Sequence, residues 1–127
     1  MARALVEAAA RSPEAFPLDA FIELDVDDHR AGVAPDSAEL IAIGKLLGGG
    51  ASSLLRGVMT HAGGSYDCAS RQELIAMAER ERSGAVQAAQ ALRAAGIACS
   101  EVSIGSTPTV IAGTNFDGVT EVRVGVY

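Results

Sequence analysis

Apolar and polar positions alternate in two registers along this chain, and the switches between them mark its elements. Residues 2–10, Ala-Arg-Ala-Leu-Val-Glu-Ala-Ala-Ala, favour helix because Ala and Leu lose little on entering it, and Ser12-Pro13 is the expected stop. Phe21 to Val26 combines β-formers with partial alternation and reads as a short strand running into the polar turn Asp27-Asp28-His29-Arg30. Asp36 and Glu39 then stand at capping-box spacing, opening a helix on Leu40, Ile41, Ile43, Leu46 and Leu47 that Gly48-Gly49-Gly50 ends.

The alternation repeats. Leu54 to His61 is a second strand, followed by the loop Ala62-Gly63-Gly64-Ser65-Tyr66-Asp67. Ser70 and Glu73 open the longest helix, whose apolar residues Leu74, Met77, Ala78, Ala85, Ala88, Leu92 and Ala95 recur at helical steps. Glu79, Arg80, Glu81 and Arg82 read as a charged surface segment, and Gly96 as the residue just past the helix end. Cys99–Ile104 and Val119–Val124 are the third and fourth strands, joined by a loop through Gly105-Ser106-Thr107-Pro108. Strands alternating with helices predict a parallel sheet with crossover helices.

Composition narrows the function. Ten Lys+Arg against 16 Asp+Glu give a net charge of −6, and no basic cluster is present, which argues against a nucleic-acid partner because that affinity comes from counterion release by basic side chains. With 127 residues, one domain is expected. Neither a signal peptide nor a run of ~20 apolar residues is found, so a cytoplasmic protein without membrane contact is expected. Cys68 and Cys99 lack metal-site spacing and read as buried free thiols.

In such folds ligands gather at the carboxyl ends of the strands. Four segments fall there: Asp27-Asp28-His29-Arg30, His61 to Tyr66, Gly105 to Thr109, and Gly125-Val126-Tyr127. Gly105-Ser106-Thr107 offers small residues and hydroxyls suited to an oxyanion or phosphate, although the same residues also make an ordinary turn. Asp25, Asp27 and Asp28 could face a hard cation or form a solvated acidic turn beside Arg30. His61 and Tyr66 could orient or stack on a ligand, or serve the structure alone. No Gly-x-Ser-x-Gly elbow is present, so hydrolase chemistry has little support.

Taken in order, FIELDVDDHRAGV, RGVMTHAGGSYDC, VSIGSTPT and TEVRVGVY resemble the D-serine dehydratase and D-threonine aldolase-like group of pyridoxal-phosphate enzymes, which shares its barrel with alanine racemase. The resemblance implies an α/β fold, a partial (β/α)8 barrel of alanine racemase type. Residues 1–127 would form one unit supplying strands five to eight. It implies a pyridoxal 5′-phosphate lyase acting on D-3-hydroxy amino acids by dehydration or aldol cleavage, with amino-acid racemisation as an alternative.

Carried over by position, Arg30 would lie near the cofactor's ring hydroxyl, His61 beside the ring and Tyr66 at the pyridine nitrogen. Gly105, Ser106 and Thr107 would cradle the phosphate, assisted by Gly125, Val126 and Tyr127. Arg123 matches the racemase-type Arg-Pro-Gly position. Asp27 stands where relatives usually have Gly, Gly64 where many have His, Val124 where Pro is usual and Val126 where Asn is frequent.

The family's imine-forming lysine belongs to the first barrel strand, which these residues do not contain. Lys45, the only lysine, reads as a surface helix residue instead. No catalytic residue is therefore assigned, and the chain by itself is expected to be an inactive part of such an enzyme. Any divalent metal would enter through a C-terminal domain, so no metal ligand is assigned to His29 or Cys68 either. Expected partners are a small D-amino acid and either the remainder of the barrel or further copies of the chain. A different class of reading is a self-associating half-barrel that binds a phosphate or cofactor without catalysis.

Overall fold

The computed structural model describes residues 1–11, 18–28, 30–49 and 54–125. His29, Val126 and Tyr127, together with the expected helix stop at Ser12-Pro13 and Gly50, lie outside the described residues. In chain order the elements are α1 (Ala2–Arg11), β1 (Ala20–Leu24), α2 (Ala38–Gly48), β2 (Leu55–Thr60), a 3-10 turn (Gly63–Asp67), α3 (Arg71–Ala94), β3 (Glu101–Ile104), α4 (Thr107–Ala112) and β4 (Glu121–Val122). The strands lie in the order β1-β2-β3-β4, every neighbouring pair parallel. Their carboxyl ends therefore share one edge of the sheet.

One row of paired residues, Glu23, Met59, Ser103 and Glu121, crosses the sheet on the face turned away from the helices. The opposite face carries Ile22, Leu24, Val58, Val102 and Ile104, all buried against Leu40 and Leu47 of α2 and Ala85, Ala88, Ala89 and Leu92 of α3. The alanines let α3 lie close to the sheet, and α1 packs on α2 through Leu5 and Val6.

The helix ends show how local chemistry sets the boundaries. Ser70 Oγ accepts the Glu73 amide at 3.2 Å while Glu73 Oε2 accepts the Ala69 amide at 2.8 Å, so the predicted cap of α3 forms. At its other end the Ile97 amide donates to the Leu92 carbonyl and the Gly96 amide to the Arg93 carbonyl, both at 3.0 Å. This closing motif needs a left-handed residue, supplied by Gly96 at φ 76°. The cap of α2 differs from the expectation. Ser37, not Asp36, accepts the Leu40 amide, at 3.2 Å, because α2 starts one residue later than the Asp36/Glu39 spacing suggested.

Two segments read as loops are helical. Gly63–Asp67 forms a 3-10 turn, and Thr107–Ala112 forms α4. Six residues are too few to show an apolar period, and Pro108 reads as a breaker unless it stands in the first helical turn, where its missing N–H costs nothing.

Candidate functional site

The four segments at the strand ends are joined neighbour to neighbour by hydrogen bonds. The Gly64 amide donates to Asp27 Oδ2 at 2.8 Å, tying the turn after β1 to the loop after β2. Ser65 Oγ and Ser106 Oγ lie 2.7 Å apart and tie that loop to the start of α4. The Gly125 amide donates to Thr107 Oγ1 at 3.3 Å, bringing in the segment after β4. A continuous rim results.

The predicted residues fall along this rim as follows. His61 and Tyr66 stack, with centroids 6.2 Å apart and planes 16° from parallel. Tyr66 is about half exposed. It lines a cleft of about 560 Å³ with Thr107, walled on one side by Arg71 and Leu74 of α3 and on the other by Pro108 and Ile111 of α4. Arg30 is exposed on the turn after β1, and no bond among the described residues brings it to the His61–Tyr66 pair. Asp25, Asp27 and Asp28 share that turn, but no cluster of three metal-ligating side chains forms among the described residues.

Gly105 and Ser106 face inward. Gly105 adopts φ 152°, and a Cβ there would sit 2.1 Å from the Arg123 carbonyl oxygen, so only glycine lets β3 and the segment after β4 approach so closely. Ser106 is buried and caps α4, its Oγ accepting the Thr109 amide at 3.4 Å while its own amide donates to Thr109 Oγ1 at 3.3 Å. Arg123 reaches across the sheet, donating to the Thr60 carbonyl at 2.5 Å and to Ser103 Oγ.

The residue that sequence reasoning missed is Glu81. Read as surface charge, it is fully buried. Oε1 accepts from Thr60 Oγ1 and the Ala62 amide, both at 3.0 Å, and from the Gly105 amide at 3.3 Å. Oε2 accepts from Thr109 Oγ1 at 2.5 Å. The Glu-Arg-Glu-Arg run hid it, yet Glu81 stands three residues after Ala78 and four before Ala85, on the buried stripe of α3. Its run-mates keep the expected role: Arg82 pairs with Glu79 at 2.5 Å, and this bond holds the Glu79 carboxyl below its ordinary range. Lys45 lies in the last turn of α2, whose Leu47 carbonyl accepts the Leu54 amide at 2.9 Å at the start of β2. That is the amino-terminal edge of the sheet, opposite the rim.

A match to the alanine racemase N-terminal domain extends over residues 1–127. The chain belongs to that family. It is 53% identical over 127 residues to D-threo-3-hydroxyaspartate dehydratase of Delftia sp. (strain HT23), covering 99% of this chain and 33% of that protein. The solved structure of that dehydratase superposes with a TM-score of 0.91 over 98% of this chain and 32% of its own, at 51% identity. An alanine racemase-like protein from Idiomarina loihiensis is similar at 43% identity and a TM-score of 0.88, again over 98% of this chain and 32% of that one. D-threonine aldolase from Filomicrobium marinum, at 23% identity and a TM-score of 0.79, shares the fold over 98% of this chain and 33% of its own. The chain thus spans about a third of the length of the relatives it matches.

Proposed function

We propose that this family member supplies the cofactor-binding second half of a barrel, strands five to eight, in a pyridoxal-phosphate lyase acting on D-3-hydroxy amino acids. The observation that carries the reading is the rim. All four segments that the family resemblance marks as cofactor-holding are bonded into one continuous edge through Asp27, Gly64, Ser65, Ser106, Thr107 and Gly125. The similarity to a D-threo-3-hydroxyaspartate dehydratase supports the substrate class.

The donor set fits a phosphorylated aromatic ring. Thr107 and Gly125 meet at the rim, and a Cβ on Gly125 would meet nothing within 4 Å, so the backbone there is open to a close-approaching oxyanion. In this reading Thr107 and Gly125, joined by Val126 and Tyr127, hold the phosphate, while Gly105 and Ser106 shape the turn beneath it. The stacked His61 and Tyr66 offer flat faces and polar tips to the ring, and Arg30 meets its hydroxyl. When bound, pyridoxal phosphate supplies an electron sink for charge developing at the substrate's α-carbon. This chain's residues bind and orient that group; they include no amine at the rim that could carry it as an imine.

The structural test is direct. Purified protein is mixed with pyridoxal phosphate, reduced with borohydride and digested for mass mapping. Saturable binding that inorganic phosphate competes away, with no label on Lys45, is the expected result; stoichiometric label on Lys45, or no competition by phosphate, overturns the reading. A variant of the related dehydratase is known in a metal-free form, which implies a metal in that relative. A non-catalytic, self-associating half-barrel is the second reading, favoured by β1 and β4 standing as open edges of the described sheet. Here the sedimentation behaviour of the protein decides, a monomer at micromolar concentration counting against it.

A further inference from the structure

Four donors converge on the two oxygens of Glu81: hydroxyls of Thr60 and Thr109 and amides of Ala62 and Gly105. A carboxylate is the side chain that meets such a set with acceptors alone. The consequence runs outward along the hydroxyls. Thr109 has one hydrogen and two nearby acceptors, Glu81 Oε2 at 2.5 Å and the Ser106 carbonyl at 3.0 Å. The shorter contact, to Glu81, takes it. Ser106 Oγ, 2.9 Å from Thr109 Oγ1, must then donate to Thr109, and Ser65 Oγ, 2.7 Å further on, must donate to Ser106. Ser65, Ser106 and Thr109 are all buried, so water does not reset this order.

We propose that Glu81 is the positioning residue of the rim: it orients the Ser65-Ser106-Thr109 hydroxyl chain and the Ala62 and Gly105 amides, and so sets where Thr107 and Gly125 stand relative to Tyr66. The inference deepens the cofactor reading and rests on it. Glutamine at position 81 keeps the shape but not the order. With its oxygen facing the three donors on the Oε1 side, its NH2 faces Thr109 Oγ1, which already accepts from the Ser106 amide and the Ser106 hydroxyl. Three donors would then meet two lone pairs, and the hydroxyl chain must turn round.

The probes are pyridoxine 5′-phosphate and pyridoxine, neither of which needs an imine. They are titrated calorimetrically into the protein, Glu81→Gln and the core control Leu92→Val, with amide exchange followed in parallel. Glu81→Gln is expected to weaken the phosphate-bearing probe tenfold or more and pyridoxine less than twofold. Exchange at Ala62 and Gly105 should accelerate tenfold while Val58 and Val102 keep their rates. Leu92→Val should accelerate exchange across β2 and β3 and leave the ratio of the two affinities unchanged.

Should Glu81→Gln not fold, Thr109→Val removes the Oε2 donor and the Thr109 contacts to Ser106 but leaves the three donors on Oε1 in place. It should weaken the phosphate-bearing probe without changing exchange at Ala62. An unchanged affinity ratio, or uniform acceleration in Glu81→Gln, overturns the proposal. Equal binding of both probes by the unsubstituted protein overturns the cofactor reading instead; the exchange pattern then decides the positioning role alone, local acceleration supporting it and uniform acceleration overturning it.

Discussion

Asp27 Oδ2 accepts the Gly64 amide at 2.8 Å, joining two loops 37 residues apart in sequence. The family resemblance read from the sequence marks both positions as departures, Asp for Gly and Gly for His. The departures meet in space. A carboxylate at 27 holds the backbone at 64, while its second oxygen, Oδ1, is buried with no hydrogen-bond partner among the described residues. Asp27→Ala should leave the Gly64 amide unpaired and cost about 1–2 kcal/mol. Chemical denaturation together with exchange at Gly64 checks this, and unchanged protection there would contradict it.

Two glycines on the rim should differ in their response to alanine. Gly105→Ala places a Cβ 2.1 Å from the Arg123 carbonyl oxygen at a backbone angle that disfavours side chains. A loss of roughly 3 kcal/mol or more is expected. Gly125→Ala meets nothing within 4 Å, and its denaturation midpoint should stay at that of the parent protein.

The start of α2 separates two neighbouring candidates for its cap. Ser37→Ala should cost about 1 kcal/mol because it removes the acceptor of the Leu40 amide. Asp36→Ala should change stability little. Parallel denaturation curves distinguish the two, and equal losses would mean that both side chains cap the helix.

The cysteines should differ in reactivity. Burial pushes the Cys99 thiol up, opposed by the nearby Arg93 and by a hydrogen bond from the Val58 backbone, whereas Cys68 is only half-buried. A thiol raised on folding binds its proton more tightly in the native state, so its contribution to stability is complete below the ordinary thiol range. That contribution is lost as the pH climbs through the raised value. Cys68 should therefore label first with a disulfide reagent at neutral pH, and Cys99→Ala should flatten the alkaline fall in stability. Faster labelling of Cys99 would contradict this.

The order of the four strands and of α1, α2 and α3, the Ser70/Glu73 cap, the Gly96 stop and the four rim segments were legible in the sequence, whereas α4 was not. Each depends on residues within a turn or two of one another, where periodicity, capping and glycine stereochemistry act. The parallel sheet followed from that order, since strands separated by helices have room for crossovers.

Tertiary structure alone decided what Glu81 does. Its neighbours in sequence, Arg80 and Arg82, are charged, while its partners Thr60, Ala62, Gly105 and Thr109 lie 19 to 28 residues away. The same holds for Asp27 with Gly64 and Ser65 with Ser106. Buried polar groups must be satisfied, but a sequence states only which donors and acceptors exist, not which ones the folded backbone brings together. Local chemistry thus determined the rim's components, and the packing of α3 against the sheet determined that one buried carboxylate would join the ends of β2 and β3.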